Sequence, residues 1–191
     1  SVLGDDHPDV AASYNNIGNV YDCLGDYDKA LEYYEKSLFI CIAVATTGLS
    51  AGAESYNNIG NVYASQGDYD KALGYHEKSL KISLSVLGAG HPDVAESYNN
   101  IGNVYAFQGD YDKALGYYEK SLNISLSVLS AEHPDVARSY NNIGDVYDCL
   151  GDYDKALKYY EKALKISKDD SDINNIRKAI AKVREKLSES S

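Results

Sequence analysis

The stretch Ser13-Tyr14-Asn15-Asn16-Ile17-Gly18 occurs four times in the chain, starting again at Ser55, Ser97 and Ser139. A second stretch, Gly25-Asp26-Tyr27-Asp28-Lys29-Ala30-Leu31, recurs with the same spacing of 42 residues from Gly67, Gly109 and Gly151. A fixed internal period of this length is typical of a repeat architecture, in which each repeat packs on the next. The 191 residues therefore divide into repeats 1–42, 43–84, 85–126 and 127–168 of a single array, followed by residues 169–191.

Each repeat contains two patterns of helical periodicity separated by a turn. In the first repeat, one helix face is formed by Val10, Tyr14, Ile17 and Tyr21, and a second by Ala30, Leu31, Tyr34, Leu38 and Ile42. Gly25 can adopt the positive φ that ends the first helix, and Asp26 can cap the second. His7-Pro8-Asp9, which recurs at His91 and His133, predicts the start of the first helix because proline suits its first position.

The residues at these positions carry a resemblance to a known family. They are Tyr14, Ile17-Gly18, Tyr21, Gly25, Tyr27, Ala30, Tyr34 and Ser37 in the first repeat. This pattern resembles the tetratricopeptide repeat; repeats three and four match it, whereas repeat two has His76 at the aromatic position. The period of 42 residues exceeds the usual one of about 34, and this long form resembles the repeats of kinesin light chains. The resemblance implies an all-α fold, an α-solenoid of helix pairs in a right-handed superhelix.

At three places the sequence differs from the usual repeat pattern, and each difference predicts the structure of one segment. The proline that usually ends the second helix is absent, so we expect helix to continue from Tyr111 to Leu129. Residues 45–52 lack the His-Pro-Asp start and contain Gly52, so we expect an irregular junction and a late start of the next helix. In residues 169–191 an apolar stripe is formed by Ile173, Ile176, Ile180, Val183 and Leu187. This stripe predicts a capping helix over 171–187, with Ser171 or Asp172 as its N-cap.

Composition narrows the classes of function. The net charge of −11 disfavours a nucleic acid ligand, because a phosphate backbone needs a basic surface, and the apolar runs are too short to span a membrane. Three cysteines without a CxxC pair favour a reducing, cytoplasmic setting with no metal or cofactor. Cys23 and Cys149 share one repeat position, where we expect semi-buried side chains. No catalytic triad or glycine-rich phosphate loop lies outside the repeats, so we expect that the protein is not an enzyme.

The asparagines of the first helices are the candidate binding residues. Asparagine is a poor helix former, yet Asn15 and Asn19 share one helix face and have equivalents in every repeat. The family resemblance implies that this face lines the concave groove, where amides suit an extended peptide backbone. The predicted peptide-binding residues are Asn15, Asn19, Asn57, Asn61, Glu96, Asn99, Asn103, Phe107, Arg138, Asn141 and Asp145. The alternative is that the amides bond one another and bridge first helices; Asn16 and its equivalents are interpreted as structural.

These observations favour a protein-interaction scaffold that holds a peptide or partner segment. Residues 1–42 carry eight acidic and two basic side chains, which would attract a basic partner or simply keep the protein soluble. The alternative function is a structural spacer or self-associating array with no specific groove ligand. In this sequence no helix pair precedes Val10, Tyr14, Ile17 and Tyr21, so we expect their surface to be exposed and to support weak self-association through the first repeat.

Overall fold

The computed structural model describes residues 7–43 and 49–189. Within these two ranges the chain forms nine α-helices and no strand. The helices are α1 (Pro8–Cys23), α2 (Tyr27–Ala43), α3 (Leu49–Ser65), α4 (Tyr69–Leu87), α5 (Pro92–Gln108), α6 (Tyr111–Val128), α7 (Pro134–Cys149), α8 (Tyr153–Ile166) and α9 (Asp170–Glu189). Each repeat thus contributes a first and a second helix, and α9 follows the fourth pair. Over the described part of the chain, no helix combines the length and apolarity needed to cross a membrane.

The His-Pro-Asp motif starts a helix in each of its three copies, as the sequence predicts. The imidazole Nδ1 of His7 accepts a hydrogen bond from the Asp9 backbone N–H at 3.2 Å, and the same bond recurs at His91 and His133. The imidazole therefore satisfies one of the backbone donors that the first turn of a helix leaves free.

The turn between the two helices of a repeat is also the same throughout. Gly25 has φ 75°, and Gly67, Gly109 and Gly151 have closely similar values. The following aspartate caps the second helix: Asp68 accepts from the Lys71 N–H at 3.3 Å, and the other three aspartates do likewise. Glycine is suited to this turn because side chains rarely tolerate a positive φ.

The second helices of repeats two and three are long, which confirms the expectation drawn from the missing proline, whereas α8 ends at Ile166. α4 reaches Leu87, and α6 continues past Ser125 to Val128, one residue short of the predicted Leu129. Nothing in the sequence of either helix interrupts the backbone hydrogen bonds, and α4 ends only where Gly88 takes φ 84°.

The expected late start of the first helix in repeat two is wrong. α3 already begins at Leu49, whereas residues 45–48 of the predicted irregular junction lie outside the described residues. Gly52 is buried, and a Cβ placed there would lie 3.6 Å from the Cβ of Cys41 in α2. Close packing of α3 on α2 therefore outweighs the poor helix propensity of glycine and the absence of a proline.

The chain divides into two compact units, residues 1–100 and 101–191. In the first unit, Ala30 and Tyr34 of α2 form a core cluster with Ile59 and Val62 of α3. In the second unit, an equivalent cluster joins α6 to α7 and consists of Ala114, Tyr118, Leu122, Val136, Ile143 and Val146. In both clusters a second helix covers the apolar face of the first helix that follows it. That the four repeats form one continuous array remains a prediction.

The capping helix forms where the sequence predicts it, over Asp170–Glu189. Ile176, Ile180 and Val183 pack against Ala156, Tyr160 and Ala163 of α8. The predicted N-cap is wrong, because Asp169 takes this role and accepts from the N–H groups of Ser171 and Asp172 at 2.8 and 3.2 Å. Helix α9 starts one residue earlier than predicted, so Ser171 and Asp172 already belong to its first turn.

The three cysteines are free thiols, but two of them differ from the expectation. Cys23 and Cys149 are exposed rather than semi-buried, because each is the last residue of its helix, next to the turn. Cys41 is buried against α3, and this burial raises the pKa of its thiol.

Candidate peptide-binding surface

The predicted binding residues lie on the four first helices. Asn15 and Asn19 are on α1, Asn57 and Asn61 on α3, Glu96, Asn99, Asn103 and Phe107 on α5, and Arg138, Asn141 and Asp145 on α7. Their surroundings divide them into residues that bond within the fold and residues that face solvent.

In repeats one, three and four, the side chain at the Asn19 position is a hydrogen-bond partner for a buried tyrosine. The hydroxyl-to-oxygen distances are 2.7 Å for Tyr34–Asn19, 2.8 Å for Tyr118–Asn103 and 2.6 Å for Tyr160–Asp145. Each bond ties the second helix of a repeat to its own first helix. Burial raises the pKa of all three tyrosines, which keeps the hydroxyl protonated as the donor. Loss of water around its carboxylate raises the pKa of Asp145.

Repeat two lacks this bond because His76 replaces the tyrosine. The ring of His76 is 1% exposed, and its Nδ1 lies 3.0 Å from Oδ1 of Asn57, one helical turn before Asn61. Burial lowers the pKa of His76 to about 4, so the ring is neutral near pH 7. Asn61 is exposed and makes no hydrogen bond with any described residue.

The asparagine at the Asn15 position is buried in repeats one and three. Asn15 is 2% exposed, and its Oδ1 accepts from the Ser55 hydroxyl of α3 at 3.0 Å. Its Nδ2 is buried without a hydrogen-bond acceptor in the part of the chain that is described. Asn99 is also buried. In this conformation both amides contact the fold rather than solvent, so a direct role in binding would require side-chain rearrangement.

Asparagines at the Asn16 position bridge neighbouring first helices in repeats three and four. Nδ2 of Asn100 donates to Oδ1 of Asn57 at 2.9 Å, and Nδ2 of Asn142 lies 3.5 Å from Oδ1 of Asn103. These bonds agree with the structural interpretation of this position. They also show that some of these amides bond one another and bridge first helices, which is the alternative to peptide binding given above.

The other predicted residues lie at the surface of α5 and α7. Arg138 forms an ion pair of 2.9 Å with Asp135, and Nδ2 of Asn141 donates to Asp145 at 3.1 Å. Phe107 is 65% exposed. With Arg138 and Asn141, Asp135 also lines a cleft of about 290 Å³ between α7 and α9.

The larger cleft lies in the first unit, between α3, α4 and α5, and has a volume of about 630 Å³. Its described lining residues are Ala51, Ala53, Glu54, Asn57, Asn58, Ser79, Ser83, Asp93, Glu96 and Ser97. They include three carboxylates and neither lysine nor arginine. The Nδ2 of Asn58 is buried in its wall without an acceptor among the described residues. The site is therefore polar and acidic, and we call it the acidic cleft.

Of the predicted site residues, the acidic cleft brings together Asn57 and Glu96, whose Nδ2 and Oε1 lie 3.5 Å apart. Sequence reasoning missed Asp93 and the serines of α4. Asp93 belongs to a His-Pro-Asp motif and was interpreted only as part of a helix start. Ser79 and Ser83 occur in the second helix at a spacing of one turn, and that spacing was the available signal.

Comparison with known proteins identifies the family. The family model described as tetratricopeptide repeat matches residues 1–41, 53–127 and 93–169, so the chain belongs to the tetratricopeptide repeat family. No curated protein matches the sequence.

Solved structures support the same fold. BtubC (BKLC) from P. vanneervenii is similar with a TM-score of 0.85 and 23% identity, over 95% of this chain and 74% of that one. A putative kinesin light chain from Podosopora anserina with nearly identical TPR-like repeats has a TM-score of 0.78 and 19% identity, over 96% and 89% of the two chains. A single-substitution variant of that kinesin light chain gives the same values. The fold class is thus an all-α solenoid of tetratricopeptide-type helix pairs, a scaffold of the kind that mediates protein–protein interaction.

Proposed function

We propose that this protein is a non-catalytic, cytoplasmic scaffold that binds an extended, basic segment of a partner protein across its first helices. The acidic cleft of the first unit carries the proposal. It is large enough for a long side chain, and its carboxylates come from α3 and α5, at Glu54, Asp93 and Glu96. A lysine or arginine side chain entering the cleft would meet negative charge from two helices.

Electrostatics favour this partner chemistry over the alternatives. The chain carries a net charge of −11, which steers basic segments towards it and repels nucleic acid. The serine hydroxyls and asparagine amides of the lining supply neutral hydrogen-bonding groups beside the carboxylates. This combination suits a polypeptide, which presents a backbone as well as a charged side chain. Among the predicted residues, Asn57, Asn61 and Glu96 contribute most directly, because they line the cleft or face solvent next to it.

An array of fluorescein-labelled nonapeptides tests the proposal, with lysine, arginine or glutamate at the central position in varied flanking sequence. Peptides centred on lysine or arginine should bind and those centred on glutamate should not. Glu54→Gln together with Glu96→Gln should weaken the binding of a lysine-centred peptide about tenfold, since two partly exposed ion pairs are lost. Affinity should also fall as salt screens the charges.

The matched control is Glu35→Gln together with Glu77→Gln, which changes the net charge equally at exposed positions outside the cleft lining. Equal loss of affinity in the two double variants would mean that net charge alone attracts the peptide. An array without any binding peptide would favour the spacer function instead.

A specific observation also favours a second activity, weak self-association through α1. Ile17 and Val20 are 38% and 58% exposed, whereas the equivalent Ile59 and Val62 of α3 are fully buried against α2. We propose that these residues pair copies of the chain at high concentration. The acidic charge of residues 1–42 opposes such pairing and keeps it weak.

A further inference from the structure

His76 makes repeat two unlike the other three, because it replaces the tyrosine whose hydroxyl bonds the second helix of a repeat to the first. Its ring occupies the same slot as the tyrosines: a Cβ on Gly60 would lie 2.7 Å from the imidazole, and a Cβ on Gly102 would lie 2.7 Å from the ring of Tyr118. The imidazole is shorter than a phenol, however, and ends next to Asn57 rather than next to Asn61.

This difference changes the hydrogen bonding of the side chain at the Asn19 position, which is Asn61 in repeat two. Asn19, Asn103 and Asp145 each have an oxygen that accepts a tyrosine hydroxyl. Asn61 has no such donor among the described residues, and its side chain is exposed, so its amide is available for hydrogen bonds to a bound peptide. An exposed amide in this state can donate one hydrogen bond and accept another, which matches the N–H and C=O of an extended peptide backbone.

The position of Asn61 relative to the acidic cleft adds a second constraint. Glu54, Asn57 and Asn61 follow one another at spacings of three and four residues, so they share one face of α3. Glu54 and Asn61 are separated by about 10 Å along the helix axis. An extended peptide covers that distance with about three residues.

We propose that His76 determines where the partner segment binds, because it leaves Asn61 free to pair with the peptide backbone. The segment then places a basic side chain in the acidic cleft about three residues away from the backbone group held by Asn61. This inference rests on the proposed binding function and specifies which part of the peptide contacts Asn61 and which part enters the acidic cleft. His76 acts as a positioning residue, since it lies buried behind Asn57 and does not touch the peptide.

The test is His76→Tyr, which gives repeat two the residue found in the other three repeats. The new hydroxyl should donate to Asn61, and the affinity for the tightest lysine-centred nonapeptide of the array should fall about fivefold, the effect of one neutral hydrogen bond. Asn61→Ala should cause a similar loss. In the His76→Tyr background, Asn61→Ala should have little further effect, because the two substitutions remove the same contact.

Asn16→Ala is the matched control. It removes an exposed asparagine of α1 at the repeat position that is interpreted as structural, so peptide affinity should be unchanged. In the nuclear magnetic resonance spectrum, the side-chain amide of Asn61 should shift on addition of the peptide, and that of Asn16 should not.

Two results would overturn the inference and leave the proposed function standing. The first is full affinity in both His76→Tyr and Asn61→Ala when the cleft variant Glu54→Gln with Glu96→Gln still loses binding. The second is additive loss in the combined variant, which would show that His76 does not act through Asn61. If no nonapeptide binds the unmodified chain, both the function and its register are wrong.

Discussion

His76 should make the stability of the chain sensitive to mild acid. Its pKa falls from an ordinary 6.5 to about 4 because burial penalises the charged ring. Between these values the unfolded chain binds a proton that the folded chain does not, so the free energy of unfolding decreases as the pH falls through this window. The loss between pH 7 and pH 5 should be about 2 kcal/mol, at about 1.4 kcal/mol for each unit of separation. Above pH 6.5 the effect disappears.

The assay is urea denaturation followed by circular dichroism at pH 7, 6 and 5, for the unmodified chain and for His76→Tyr. The variant should be as stable as the unmodified chain at pH 7, or more so, and should lack the loss assigned to His76. Carboxylates contribute to the pH dependence of both proteins: burial raises the pKa of Asp145, and the hydrogen bond from Lys71 lowers that of Asp68. The difference between the two proteins removes these contributions. Parallel loss of stability in both proteins between pH 7 and pH 5 would refute the reasoning.

Four other substitutions have definite expectations. Tyr118→Phe removes the donor to Asn103 and should lower the free energy of unfolding by about 1 kcal/mol in urea denaturation. Val183→Asp puts a carboxylate into the fully buried contact of α9 with α8 and should cost about 3 kcal/mol or more, with hydrogen exchange rising in α9 first; uniform protection of α9 would contradict this. Asn57→Ala should lower the melting temperature more than Asn61→Ala, because Asn57 accepts from Asn100 and contacts His76; equal melting temperatures would be inconsistent with these contacts. Val20→Asp should abolish concentration-dependent association in sedimentation equilibrium, whereas Val128→Asp at a comparably exposed site should not; a chain that is already monomeric at high micromolar concentration would exclude the α1 contact.

The repeat sequence predicts the elements well because their determinants are local. The turn glycines, the aspartate caps and the His-Pro-Asp starts act within a few residues of themselves, and each is found in its predicted place. The missing proline is equally local and predicts the extension of α6 to within one residue. The start of α3 was missed because it depends on packing against Cys41, which sequence patterns do not reveal.

The site was harder to predict because its state depends on contacts between helices. The sequence places Asn19 and Asn61 at the same repeat position, and nothing within α1 or α3 separates them. Only the pairing of each with the second helix does so: Tyr34 reaches Asn19, whereas His76 stops at Asn57. The substitution at His76 is visible in the sequence, but its effect on an asparagine fifteen residues away requires the fold.

The contact between the glycine of the first helix and the aromatic ring of the second helix restricts the order in which these two positions can be substituted. A Cβ on Gly18 would lie 2.5 Å from the ring of Tyr34, and on Gly144 it would lie 2.8 Å from that of Tyr160. Exchange of tyrosine for histidine gives no relief, because a Cβ on Gly60 would still lie 2.7 Å from His76. The glycine can therefore be replaced only after the facing aromatic ring has been replaced by a smaller side chain. The ring position itself accepts exchange between tyrosine and histidine, so duplicated repeats can diverge at this position while the glycine is retained.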